Sequence, residues 1–159
     1  YFRGKMIQTL ANAGFEIAVV GAGWETLPLK KPNRFTIIPQ TNSRRCLELI
    51  KDSRISVNIM PWFKNGVHDR VFNSIINVTV CFTDGSGFLY EVLSDGDGLR
   101  YYDLNDLSAK SDGSHIVDGM EKLLSDYDKL DSMAEAGKKI VSADHTWKNR
   151  AKKLMELFL

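Results

Sequence analysis

Ile55-Ser56-Val57-Asn58-Ile59-Met60-Pro61-Trp62-Phe63-Lys64-Asn65-Gly66-Val67-His68-Asp69-Arg70-Val71-Phe72-Asn73-Ser74-Ile75-Ile76 reads as a strand, a turn and a helix in that order. Ile55, Val57 and Ile59 alternate with polar Ser56 and Asn58, which predicts a strand over 55–60 with one apolar and one polar face. The turn carries Pro61 and Gly66, a helix is expected over 69–76, and the apolar run Thr79-Val80-Cys81-Phe82 supplies the next strand. Strand, helix and strand in succession make a βαβ unit, the building block of a parallel sheet. In an open sheet of this kind ligands bind beyond the carboxyl ends of strands, where helix N-termini offer unpaired N–H groups to an anion. The turn before Asp69 is therefore a candidate phosphate cradle.

The chain on either side repeats the alternation. Met6, Leu10 and Ala13 lie at helical spacing and Gly14 stops that helix. Phe15 to Val20 reads as a buried strand and Phe35 to Ile38 as another. Thr41 or Asn42 can cap a helix over Arg44 to Lys51. Asp84-Gly85-Ser86-Gly87 leads into a short helix ending near Leu93, and Asp95-Gly96-Asp97-Gly98 turns the chain into Leu99 to Tyr102. From Ser114 the pattern is helical. Ser142-Ala143-Asp144 is expected to break it, with Asp144 capping a last helix whose apolar positions are Trp147, Ala151, Leu154, Met155 and Phe158. The fold class is thus α/β: a Rossmann-like domain with a mainly parallel, right-handed sheet flanked by helices and followed by C-terminal helices. Gly21-Ala22-Gly23 after a strand suggests a dinucleotide fingerprint, but its third small residue is replaced by Thr26 and Pro28 follows, so the fingerprint is incomplete.

Composition narrows the function classes. A chain of 159 residues fits one domain, taken as 1–159, and buries roughly 70% of its unfolded surface. With 21 Lys and Arg against 20 Asp and Glu, no charge excess marks a nucleic-acid surface. The basic clusters Lys30-Lys31 and Lys148 to Lys153 read as solvated faces. No apolar stretch approaches the ~18 residues of a membrane span and no signal peptide is visible. Cys46 and Cys81 lack metal or redox spacing and are expected to be reduced and buried. His68, His115 and His145 share no ligand spacing, so no metal site is expected. A reducing, cytoplasmic location follows. Because the chain opens on Tyr1-Phe2-Arg3, it is expected to be part of something longer.

Gly66, Arg70, Val71, Phe72, Asn73 and Ser74, then Thr83-Asp84 at a strand end, then His145-Thr146-Trp147 before a basic helix, stand in an order and spacing that resembles one family. It is that of the glycosyltransferases of GT-B architecture (group 1), in the branch related to the CgeB-like proteins. The resemblance covers about two thirds of the chain, from residue 55 to its end. It implies the donor-binding, C-terminal half of an enzyme that transfers a sugar from a nucleotide-diphosphate sugar to an acceptor. The nucleotide-sugar would be a substrate with no separate cofactor and no bound metal, and an N-terminal acceptor domain would be the partner in cis. The fragment alone is expected to be inactive.

The site residues follow from the turn and from this resemblance. Gly66, Val67 and His68 precede the helix and are candidate diphosphate donors through their N–H groups. Arg70 is a cation at the helix end that normally disfavours one, which makes sense if an anion sits there. Arg70 and His68 are the candidate catalytic residues, although His68 and adjacent Asp69 are not expected to face each other. In many retaining members two glutamates separated by seven residues touch the donor sugar and the ribose; here those places hold Asn65 and Asn73. An amide can still hydrogen-bond, but a neutral bond contributes roughly 0.5–1.5 kcal/mol against ~1.5–3 for a charged one. The resemblance places Gln40 and Thr41 near the base, and Ser86, Gly87 and Glu91 near the donor sugar or phosphate. Trp62 and Phe63 are expected in the core rather than on a cleft wall, and Trp147 packed on its domain. The two asparagines also fit a degenerate, non-catalytic domain kept for binding or scaffolding. A flavodoxin-like regulatory domain would need an acidic cluster at the strand ends, where Asp84 stands alone.

Overall fold

Every strand pairing among the described residues is parallel. The computed structural model describes residues 1–158. Its elements are α1 (Phe2–Ala13), β1 (Ile17–Val20), β2 (Phe35–Ile38), α2 (Ser43–Lys51), β3 (Ile55–Asn58), α3 (Asp69–Ile76), β4 (Val80–Asp84), α4 (Gly87–Val92), β5 (Leu99–Tyr102), α5 (Ser114–Leu124), α6 (Tyr127–Asp144) and α7 (Trp147–Glu156), with 3-10 turns at Pro32–Arg34 and Leu104–Leu107. The strands form two open sheets, β1-β2 and β3-β4-β5. This is a Rossmann-like α/β arrangement with helices on both faces.

Strand β4 is buried along its whole length and divides the core. Val80 and Phe82 face Met6 and Leu10 of α1 together with Ile116, Met120 and Leu123 of α5. Cys81 faces the other way, toward Val71 and Ile75 of α3, Leu89 of α4 and Val141 of α6. A strand buried on both faces reads as a continuous apolar run, as this one does. Burying a side chain the size of Phe82 contributes roughly 1.5–3 kcal/mol. Strand β5 meets α6 where Gly98, at φ 77°, faces Gly137; a Cβ on Gly137 would lie 2.4 Å from the Gly98 Cα. Only two glycines allow that approach.

Several boundaries differ from the sequence expectation, each for a local reason. Strand β3 ends at Asn58, before the Pro61 turn, and Asn58 is buried rather than on a polar outer face. Strand β4 begins one residue later than the apolar run and extends through Thr83 and Asp84, because their side chains turn inward to polar partners. Asn42, not Thr41, caps α2, its Oδ1 accepting from the Arg45 N–H at 2.9 Å. Helix α6 runs through Ser142-Ala143-Asp144, whose side chains are solvated while Val141 anchors that turn, so the expected break falls later, at His145-Thr146. Thr146 rather than Asp144 caps α7, accepting from the Asn149 N–H. Val78 follows α3 at φ 62°, an unusual place for a β-branched residue.

The last helix departs furthest. No residue of α7 is buried, and Trp147 is 84% exposed instead of packed on the domain. Leu154, Met155, Leu157 and Phe158 are exposed with it. Cys81 is buried and its thiol pushed up to about 12 by desolvation, whereas Cys46 on α2 is only half-buried, not buried as expected. No helix is long and apolar enough to cross a membrane among the described residues.

Candidate active site

Parallel register aligns the carboxyl ends of the three-stranded sheet. Asn58 pairs with Thr83, and Asp84 with Tyr102. The Asn58 amide donates to Thr83 Oγ1 at 2.9 Å, and the Tyr102 hydroxyl donates to the Asn58 carbonyl at 2.9 Å. Burial and the nearby Asp84 carboxylate push the Tyr102 phenol well above its ordinary value, so it stays a donor. Asp84 is 1% exposed; its Oδ1 accepts from the Met60 N–H at 2.6 Å and its Oδ2 from the Lys64 ammonium at 3.0 Å. The Lys64 carbonyl accepts from the Gly87 N–H at 2.8 Å. The β3–α3 and β4–α4 segments are thereby joined into one rim.

On that rim His68 caps α3. Its Nδ1 accepts from the Arg70 N–H and from Arg70 Nε, each at 3.3 Å, and lies 2.5 Å from Asp69 Oδ1. The expectation that His68 and Asp69 do not face each other is corrected: His68 has extended backbone as the cap, so the helical spacing rule does not govern the pair. One nitrogen cannot accept from Arg70 and donate to Asp69 at once. With Nδ1 bare the ring caps the helix; with a hydrogen on Nδ1 it would donate to Asp69 instead. The His68 N–H meets Met60 Sδ at 3.3 Å, so this group, expected free for an anion, is already engaged by a weak acceptor. The Gly66 and Val67 N–H groups have no acceptor among the described residues.

Arg70 is half-buried on the first turn of α3. Burial, then the Arg3 guanidinium nearby, lower its proton affinity, and Asp69 partly offsets this. The ion pairs among the described residues involve Arg44, Arg45, Lys64, His68, Arg100 and Lys152, and none involves Arg70. A half-buried cation with no carboxylate within ion-pair reach among the described residues, a few positions after two N–H groups that find no acceptor there, is an arrangement that an anion would complete.

Aromatic side chains flank the rim instead of filling the core. Trp62 is 87% exposed and Phe63 also lies outside, which corrects their expected burial. The turn at Pro61 carries them past the sheet end: Trp62 meets Phe2 edge-on at 6.4 Å, and Phe63 lies over Gly66, where a Cβ would come within 2.6 Å of its ring. Tyr90 covers Gly85 in the same way.

The other expected site residues divide. Asn65 is exposed beside Gly66, and its Oδ1 approaches Gly87. Asn73, half-buried, follows Arg70 at helical spacing on the same face. Ser86 is buried and caps α4, its Oγ accepting from the Leu89 N–H at 3.2 Å, so that lone pair is committed to the helix. Gly87 donates its N–H to Lys64, and Glu91 is exposed on α4. Gln40 and Thr41 follow β2 in the other sheet, with no hydrogen bond to the β3–α3 turn. No three His, Cys, Asp or Glu side chains gather as a metal-ligand set among the described residues. Lys64 was not legible as a site residue because an isolated lysine in a turn has no pattern; Asp84 was visible only as a strand-end acid.

Parallel strands, crossover helices and a polar rim at the strand ends define the class as a Rossmann-like α/β domain. A glycosyl transferase-like family model matches residues 3–156, and the chain belongs to that family. No curated protein and no solved structure matches it.

Proposed function

We propose that the chain is the donor-binding domain of a metal-independent GT-B glycosyltransferase of the CgeB-like branch, taking a nucleotide-diphosphate sugar. The observation that carries this is Arg70: a half-buried guanidinium on the first turn of α3, without an ion-pair partner among the described residues, and following in sequence the Gly66 and Val67 N–H groups, which find no acceptor there. These groups would hold the diphosphate and stabilise the charge that develops as it leaves. Asn65 would face the sugar, Asn73 the ribose, and Gln40 and Thr41 the base. His68 serves this site as the cap that orients Arg70, and its Nδ1 is engaged there. The acceptor would be held by an N-terminal domain in cis, and the two unpaired thiols suit a reducing, cytoplasmic setting.

Calorimetric titration with UDP, GDP and ADP tests the reading. One of them is expected to bind the chain at sub-millimolar to millimolar concentration without divalent metal; no heat at millimolar ligand overturns the proposal. A second reading, a non-catalytic transferase-like domain, is favoured by Asn65 and Asn73 standing where carboxylates are expected. Asn65→Glu and Asn73→Glu in the full-length protein separate the two. A native protein that transfers sugar and loses activity with glutamate excludes the degenerate reading.

A further inference from the structure

The groups that hold the β3–α3 turn in place are separate from those open to a ligand. Both oxygens of Asp84 are spent on this turn, one on the Met60 N–H and one on the Lys64 ammonium. Lys64 in turn gives its carbonyl to the Gly87 N–H, so residues 60–64 are fastened at both ends to the β4–α4 segment. A buried carboxylate is unfavourable unless its charge and lone pairs are satisfied, and an apolar residue would serve stability as well at the end of a core strand. What a carboxylate supplies there is one defined position for its two donors. Immediately beyond Lys64 lie Asn65, Gly66 and Val67.

We propose that Asp84 is the positioning residue of the donor turn: acting through Met60 and Lys64, it fixes the backbone that presents the Gly66 and Val67 N–H groups beside Arg70. It touches no donor atom itself. The proposal rests on the donor-binding reading and adds to it that the site's order is set from beneath, by one buried acid.

The test uses the whole chain with Asp84→Asn, Lys64→Met and Lys64→Arg, read by two measurements. Hydrogen–deuterium exchange without ligand reports the order of residues 60–68. Calorimetry with whichever of UDP, GDP and ADP binds the native chain reports affinity. Asp84→Asn is expected to speed exchange across 60–68 and weaken binding, each by about tenfold, with the β4 core amides unchanged. Lys64→Met shifts both in the same direction by less, Lys64→Arg restores them, and the double variant of Asp84→Asn with Lys64→Met is no worse than Asp84→Asn alone. Exchange and affinity within twofold of native in folded Asp84→Asn overturn the positioning role, as does lost affinity with unchanged exchange. If Asp84→Asn does not fold, the two Lys64 variants decide, since that side chain is half exposed: loss with methionine and rescue with arginine sustain the role, and equality of both with native overturns it. Absence of nucleotide binding to the native chain removes the donor reading and this proposal with it, whereas binding untouched by the variants removes this proposal alone.

Discussion

Arg70 concentrates the functional argument in one side chain, and its replacement is the sharpest residue-scale measurement. Arg70→Ala is expected to weaken nucleotide binding about ten- to a hundredfold, since a hydrogen bond to a charged group contributes ~1.5–3 kcal/mol. Arg70→Lys should recover only part of that, because an ammonium cannot reproduce the planar fork. Calorimetry on the variants checks both. Val78 is the residue where local preference yields to packing. Its φ of 62° costs about 1–2 kcal/mol for a non-glycine residue, yet the side chain packs on the core. Val78→Gly relieves the first and forfeits the second, so unfolding free energy is expected to change by less than about 1 kcal/mol. Phe82→Ala, in the fully buried strand, should cost about 3–5 kcal/mol in the same denaturant titration.

Among the elements, the junction of α6 and α7 is held by His145. Its ring stacks on Phe72 of α3 with centroids 5.2 Å apart and planes 12° from parallel, and the Arg150 guanidinium lies over the Phe72 ring at 6.0 Å. Burial, then Arg150, lower the His145 proton affinity below the ordinary 6.5. The folded state therefore binds fewer protons here than the unfolded state. The resulting stability is fully present above 6.5 and is lost as pH falls through the lower folded value. Thermal unfolding of His145→Phe, which retains the stack, is expected to show a shallower loss of Tm between neutral and mildly acidic pH than the native chain. The sequence made β2, α3 and β5 readable to the residue, and the start of α5 at Ser114, because their apolar runs are bounded by turn residues; the boundary between α5 and α6 was not read. It misplaced the ends of β3 and β4, where Asn58 and Thr83 are buried through a hydrogen bond to each other and Asp84 through bonds from the Met60 N–H and Lys64, pairings that no hydropathy pattern carries. For the candidate site it exposed Gly66, His68 and Arg70, since turn and helix start adjoin in sequence. It missed Lys64, whose partner lies 20 positions away on another strand.

At the scale of the molecule, two helical layers pack on opposite faces of one buried strand, and α6 comes against the start of β5 at Gly98 and Gly137. Gly137→Ala would place a Cβ 2.6 Å from the Asp97 carbonyl and 2.4 Å from the Gly98 Cα, both backbone atoms. Overpacking of this kind costs about 1–3 kcal/mol or more, and a lowered Tm is the expected readout. Aromatic residues taught the opposite lesson: Trp62 and Trp147 have core-like chemistry but lie on the surface, because hydrophobicity does not say whether the surface it seeks belongs to the same domain. The two cysteines give the molecule a practical property. Cys81 is shielded within the sheet and its proton is held tightly, while Cys46 reaches solvent on α2, just beyond Gln40 and Thr41. A thiol-directed dye applied to the folded chain is therefore expected to mark one site, counted by intact mass, and to put an optical reporter beside the segment proposed to hold the base without a cysteine being added or removed.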